Sequence, residues 1–178
     1  LSNGDDKQLT NLWHAVVTFT LWFIATATVA VLFVFRDDRF DFRVLALGSV
    51  APDIIDVWSG GAWVFHSVLG SVVVLGVVMA TARRGSLTRR RWLALPIGML
   101  FHLVFDGAFN NTKVFWWPFA GIGFDGAPIP SLDRPILSLI FEIIGALLIA
   151  WVWRENSLST PSVRREFMRT GHLRLIER

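Results

Sequence analysis

His102 and Asp106 stand four residues apart in the apolar stretch FHLVFDGAF, so on a helix both side chains leave one face. The offset along the axis is about 6 Å. Asp53 and Asp56 are spaced three apart and share a face if their segment is helical. His66, followed by Ser67, and Glu142 sit in two further apolar runs, and His14 in the first. An ionised side chain in hydrocarbon costs about 2.5–3.5 kcal/mol, so a chain that keeps several such groups is using them. Imidazoles and carboxylates meeting at one depth suit a divalent metal such as Zn, Mn or Fe. A His-x-x-x-Asp pair supplies two ligands from one rigid helix, as metal sites in helical bundles do. The metal-ligand candidates are therefore Asp53, Asp56, His66, His102 and Asp106, with Asp56 and Glu142 the candidates for acid–base work.

Each residue taken singly has a plainer reading. His102 and Asp106 would serve as a hydrogen-bonded pair within a helix. Asp53, after Pro52, would cap a helix start. Asp56 would sit in water at the interface, His66 would be a boundary histidine, Glu142 a neutral acid bonded to a backbone carbonyl, and His14 an interfacial histidine. Their convergence favours the metal. Ser67 with His102 and Asp106 has the residue types of a serine triad, but no Gly-x-Ser-x-Gly elbow is present. Neither is a P-loop or a dinucleotide fingerprint. The chain has no Cys, which excludes thiolate catalysis and thiolate metal ligation.

The elements that must position these groups follow from composition. Of 178 residues 53% are hydrophobic and only 17% charged, against about 25% charged in an ordinary soluble domain. Disorder, collagen and a disulfide scaffold are excluded by the apolar content, the lack of a Gly period and the absence of Cys. An all-α, polytopic membrane bundle is expected, since a spanning helix needs about 20 apolar residues. Segments 12–35, 62–82, 92–109 and 135–153 qualify, with Pro135 suited to a helix start. Segment 12–35 lacks a basic leader and is read as retained rather than as a cleaved signal. Segment 43–58 is short and holds Pro52 and two Asp; it is either a fifth span or a re-entrant hairpin.

Arginines set the orientation. The 83–91 loop, RRGSLTRRR, has five Arg and no acid, and the chain from 154 onward has six Arg against three Glu. Both are expected to be cytoplasmic. The link RDDRFDFR, with three Arg, is also placed inside, so segment 43–58 crosses and five spans result. Trp58, Trp63, Trp116 and Trp117 would then mark the outer boundary, and Trp92, Trp151 and Trp153 the inner one. In this layout the candidate His and Asp groups fall in the outer half of the bilayer. Three parts are expected: an amino-terminal tail at 1–11, a membrane domain at 12–154 carrying the site, and a basic cytoplasmic tail at 155–178. The basic runs read as topology signals and lipid headgroup contacts, not as a nucleic-acid surface.

The ordered strings GSVAPDIID (48–56), FHS (65–67), FHLVFDGAF (101–109) and FWWPFAG (115–121) resemble the LexA-regulated, membrane-bound metal-dependent hydrolase family. That resemblance covers roughly the middle two thirds of the chain. It implies a small polytopic protein of a bacterial or archaeal cell membrane, with Asp53, Asp56, His66, His102 and Asp106 as its metal-site positions. Two positions depart from the pattern. Many relatives read Asp-x-Asp-His after the proline, where this chain has Asp-x-x-Asp followed by Val57. Many also carry a His five residues before the His-Ser, where this chain has Gly61.

Residues and resemblance together lead to one expectation: a metal-dependent hydrolase cleaving a lipid or lipid-linked ester or phosphoester at the outer leaflet. One or two divalent ions would be held by the five candidate ligands, and Glu142 or a spare carboxylate would shuttle the proton. The segment with Trp116, Trp117, Pro118 and GIGFDGAP would act as a lid on the headgroups. Membrane lipids are the expected partners, and self-association is compatible with the fold. Two other classes fit the same residues, a transporter or ion-binding subunit and a non-catalytic scaffold stapled by a structural metal.

Overall fold

The computed structural model describes residues 20–37, 40–56, 62–123 and 135–174. The described residues form helices and turns and no strand. In chain order they are α1 (Leu21–Val34), α2 (Phe42–Asp56), a 3₁₀ turn (Val64–His66), α3 (Val68–Thr81), α4 (Leu87–Trp92) and α5 (Ala94–Asp106). A second 3₁₀ turn (Ala108–Asn110) follows, then α6 (Thr112–Phe115), α7 (Pro135–Glu155) and α8 (Pro161–Thr170). His14, Trp58, Val57, Gly61 and most of the Gly-rich lid segment lie outside the described residues.

Segment 43–58, expected to cross or to re-enter, forms one continuous helix through Pro52 as far as Asp56. Segment 92–109 becomes α5, which ends where Gly107 takes the left-handed conformation at φ 73°, a helix stop that glycine adopts without strain. Segment 62–82 starts later than its hydropathy suggests. Its first residues make the 3₁₀ turn, and Ser67 caps α3 by accepting the Gly70 N–H at 3.1 Å.

Among the described residues, Ile136–Glu155 of α7 is the one helix long and apolar enough to cross a membrane by length and composition. α1, α2, α3 and α5 have 14, 15, 14 and 13 residues. At 1.5 Å per residue these are roughly 20–23 Å long, short of the ~30 Å hydrocarbon thickness.

Close approach fixes the central pair. A Cβ at Gly48 would fall on the Leu95 carbonyl, and one at Gly98 on the Leu45 carbonyl. α2 and α5 therefore cross with their backbones in contact, as small residues permit. The matched positions rise together along both chains, from Arg91 on Asp41 to His102 on Ser49, so the two helices run parallel. α1 and α7 form a second parallel pair, with Trp22 at Glu142 and Phe33 stacked on Trp151.

The interior is divided along its length. Val31, Leu32, Phe40, Phe42, Leu45, Ala94 and Val152 form an apolar core at the arginine-rich end. Asp53, Asp56, His66, His102, Asp106 and Glu142 are buried towards the other end. The segment read as a cytoplasmic tail is part of that core as far as it is described, because Leu158 and Leu173 are each 5% exposed. The Phe42 N–H donates to the Gly171 carbonyl at 2.8 Å, and the Arg174 N–H donates to Asn156 Oδ1 at 2.7 Å.

Candidate metal centre

Asp53, His66 and His102 are brought together from three elements, and each offers one ligand atom within 4.8 Å of the others. All three are buried, at 1%, 0% and 1% exposure. This group could hold a metal ion, and the way each ring is held shows why.

His66 is placed by Asp56. One oxygen, Asp56 Oδ2, accepts the Trp63 N–H at 2.8 Å and the His66 N–H at 3.1 Å, which closes the 3₁₀ turn. The same oxygen lies 2.7 Å from His66 Nδ1. With Nδ1 donating to that oxygen, Nε2 of a neutral ring keeps its lone pair. His102 is oriented differently to the same end. Its Nδ1 lies 2.8 Å from the Ser49 carbonyl, which can only accept. Pro52 has no N–H for the Gly48 carbonyl one residue earlier, and the α2 ladder is interrupted beside that contact. Phe23 of α1 packs on the His102 ring with centroids 4.2 Å apart.

Both Nε2 atoms face one carboxylate oxygen. Asp53 Oδ1 is 3.1 Å from His66 Nε2 and 3.3 Å from His102 Nε2. His102 Nε2 makes no hydrogen bond among the described residues. With both rings neutral, three lone pairs converge in a buried space, which is repulsive unless a cation or a proton sits among them. The spacing suits a metal. A tetrahedral ion with ligands at 2.0–2.1 Å separates them by about 3.3 Å. Nitrogen and carboxylate oxygen donors with no sulfur fit Zn, Mn or Fe.

The other expected residues take different places. Asp56 stands behind His66, in the position of the outer carboxylates that orient metal-bound histidines, and is not in the three-residue group. Asp106 is buried on the last turn of α5, one turn beyond His102, and is not in that group either. Glu142 sits on the start of α1. Its Oε2 accepts the Leu21 N–H at 3.1 Å and its Oε1 the Trp22 N–H at 3.0 Å. The N-cap residue Thr20 gives no side-chain bond there, so α7 supplies the cap from across the bundle. Trp22 stacks on Phe141 at 4.6 Å and donates its indole N–H to the Phe105 carbonyl at 3.2 Å.

Sequence reasoning passed over three contributors. The Ser49 carbonyl and Phe23 carry no local signal of contact with His102. Asp41 did carry one, since an acid just before a helix marks an N-cap. Its carboxylate takes the Arg43 and Val44 N–H groups at 3.1 and 3.3 Å and the side chains of Arg43 and Arg91. Burial pushes the Asp41 pKa up, but these donors and guanidinium charges outweigh it and hold the carboxyl below its ordinary value. Comparison of the chain with protein-family models, with curated proteins and with solved structures gives no match.

Proposed function

We propose that the chain is an integral membrane protein whose helices carry a divalent metal at Asp53, His66 and His102, and that it hydrolyses a lipid or lipid-linked ester or phosphoester. The observation that carries this reading is the convergence of two imidazole Nε2 atoms on Asp53 Oδ1 at 3.1 and 3.3 Å. Supporting it are the resemblance of the GSVAPDIID, FHS and FHLVFDGAF strings to the membrane-bound metal-dependent hydrolases and the apolar surface. Ile136, Leu139, Ile143 and Leu147 of α7 and Val73 and Val77 of α3 are exposed, as lipid-facing positions are. In this reading α1, α2, α3, α5 and α7 are the five traverses, with arginines on the cytoplasmic side and the site towards the outer leaflet.

A divalent ion held there would polarise the scissile oxygen and raise the acidity of water. The chain's own residues supply the rest. Asp56 and the Ser49 carbonyl keep each Nδ1 protonated, so both Nε2 atoms are presented as donors of a lone pair. Phe23 covers one ring face and limits water. Asp106 is the buried carboxylate next along α5 and is assigned the proton transfer. Glu142, whose oxygens hold the first turn of α1, acts as an anchor for Trp22 and Phe23.

Complete burial favours a second reading. Structural metal sites are closed, whereas catalytic ones keep a position open to substrate. With all three side chains within 2% of full burial, the ion would staple α2, α5 and the His66 turn in a non-catalytic scaffold.

Metal analysis of the purified full chain, paired with a screen of lipid esters and phosphoesters, tests both. Stoichiometric Zn, Mn or Fe with turnover lost in His102→Ala supports the hydrolase. Stoichiometric metal without turnover, and with collapse on chelation, supports the scaffold. Absence of metal, or full metal content in His102→Ala, overturns both.

A further inference from the structure

The arginines of segment 83–91 and those of α8 are far apart in the chain, yet the structure brings them to one joint. Arg91 Nε lies 2.9 Å from Asp41 Oδ2, and Arg43 Nη2 lies 2.8 Å from the same oxygen. Arg43 Nη1 donates to the Met168 carbonyl of α8, and Phe42 N–H to the Gly171 carbonyl just past its end. Asp41 is thus the common point from which α4 and α8 extend. On the two segments so joined, Arg83, Arg84, Arg90, Arg164 and Arg165 are exposed. Two acids on this face are already engaged, Asp41 between two guanidiniums and Glu166 with Arg169 at 2.9 Å.

Apolar side chains stand out among these charges. Leu87 is 78% exposed and Met168 63%, while Trp92 and Trp153 are 44% and 40% exposed. α8 turns Val163 and Phe167 into the core and leaves Arg164, Arg165 and Met168 outside. It also begins at Pro161, shortly after the apolar run of α7 ends at Glu155. A helix leaving hydrocarbon at that point sets α8 at the level of the headgroups. Guanidinium interleaved with Leu, Met and Trp is the composition of a helix lying in the membrane interface. A nucleic acid would use the charge but not the exposed aliphatic side chains.

We infer that α4 and α8, joined through Asp41, form a single docking surface for an anionic phospholipid leaflet. The exposed arginines meet lipid phosphates, and Leu87, Trp92 and Met168 enter the boundary of the acyl chains. This surface lies at the opposite end from the metal group. It shares the membrane placement of α7 proposed above but not the metal, so a chain that binds no metal does not count against it.

The test uses the full chain in nanodiscs of phosphatidylcholine mixed with phosphatidylglycerol, counting the lipids retained on transfer to detergent by native mass spectrometry. The expected result is about a fivefold or greater preference for phosphatidylglycerol that fades between roughly 0.05 and 0.5 M salt. The double variants Arg84→Gln/Arg90→Gln and Arg164→Gln/Arg165→Gln should each lower the preference two- to threefold, and the quadruple variant should abolish it. The salt dependence of the unsubstituted chain reads the same surface without relying on any variant's folding. No preference for the anionic lipid, a preference untouched by either pair, or equal displacement by a single-stranded oligonucleotide overturns the proposal.

Discussion

His66 Nδ1 and Asp56 Oδ2 are 2.7 Å apart in a fully buried pair, and Asp56 stands outside the three-residue group of candidate ligands. The carboxylate therefore acts on the site through the ring. It fixes which nitrogen carries the proton and leaves Nε2 turned towards Asp53. Asp56→Asn keeps the size but replaces the charged acceptor with an amide that holds the Nδ1 proton less firmly. Removing such an outer partner typically costs 10–100-fold in metal affinity. A loss of that order for Zn, read by competition with a chromogenic chelator, is expected in Asp56→Asn. Unchanged affinity would separate Asp56 from the tautomer of His66.

Binding to the folded chain alone stabilises it by mass action. At a free metal concentration 100 times Kd the gain is about 2.7 kcal/mol. Added Zn should raise the melting temperature of the chelator-treated chain, and Asp53→Asn, which removes the charge shared by both imidazoles, should abolish the rise. A melting temperature that does not respond to Zn, Mn or Fe removes the metal from the account.

Gly48 and Gly98 let the α2 and α5 backbones touch, and that contact carries Asp53 and the Ser49 carbonyl up to His102. Gly98→Ala sets a Cβ against the Leu45 carbonyl and close to Ser49 N, where nothing on the other side is a flexible side chain. Separating the helices should cost about 1–3 kcal/mol. It should also weaken metal binding beyond what the loss of folded protein explains, because the ligands ride on the displaced helices. Gly76→Ala is the control, since a Cβ there meets nothing within 4 Å and alanine favours the helix. Measured unfolding energies in both variants decide the matter.

The fold was readable where one helix suffices and unreadable where two elements must meet. Apolar runs located α1, α3, α5 and α7, whereas segment 43–58 was left open between a span and a re-entrant hairpin, and the left-handed Gly107 stops α5 inside the stretch expected to run to 109. The cost of charge in an apolar chain singled out Asp53, His66 and His102 without coordinates. Their division of labour was not legible. A carboxylate three residues from Asp53 looks like a ligand, and only the 3₁₀ turn that brings the Trp63 and His66 N–H groups onto Asp56 makes it an orienting group. The packing of the carboxyl-terminal segment was hidden for a related reason. Its arginines dominate the composition, while the two leucines that bury it, Leu158 and Leu173, are isolated and show no period.

Acid should loosen the arginine-rich end first. Asp41 joins α2 to Arg91 and, through Arg43, to α8, and folding holds its pKa below the ordinary carboxylate value. A depressed folded pKa contributes stability that is complete above the unfolded value near 4. That contribution is lost as pH falls through the lower folded value. Unfolding free energy should therefore decline as pH falls below about 4. Asp41→Asn should lower stability at neutral pH and flatten that decline. An acid limb as steep in Asp41→Asn as in the parent chain would assign it to other carboxylates.

Glu142 offers the sharpest contrast between a chemical and a structural role. Its two oxygens take the Leu21 and Trp22 N–H groups, and Gly145 lies against the Trp22 backbone one turn further along α7. An amide has one acceptor where the carboxylate has two, so Glu142→Gln strands one backbone donor and loses the charge that favours a helix N-terminus. The loss of a cap costs about 0.5–2 kcal/mol, and Glu142→Ala, which strands both donors, should cost more than Glu142→Gln. Metal content should survive in both wherever the chain remains folded, because Glu142 is linked to His102 through the Trp22–Phe23 turn and is not one of the three candidate ligands. If the proposed hydrolysis is found, Glu142→Gln should retain a substantial part of kcat. A proton shuttle would instead lose its turnover in Glu142→Gln with stability nearly intact. Measuring unfolding energy and turnover on the same two variants separates anchor from base.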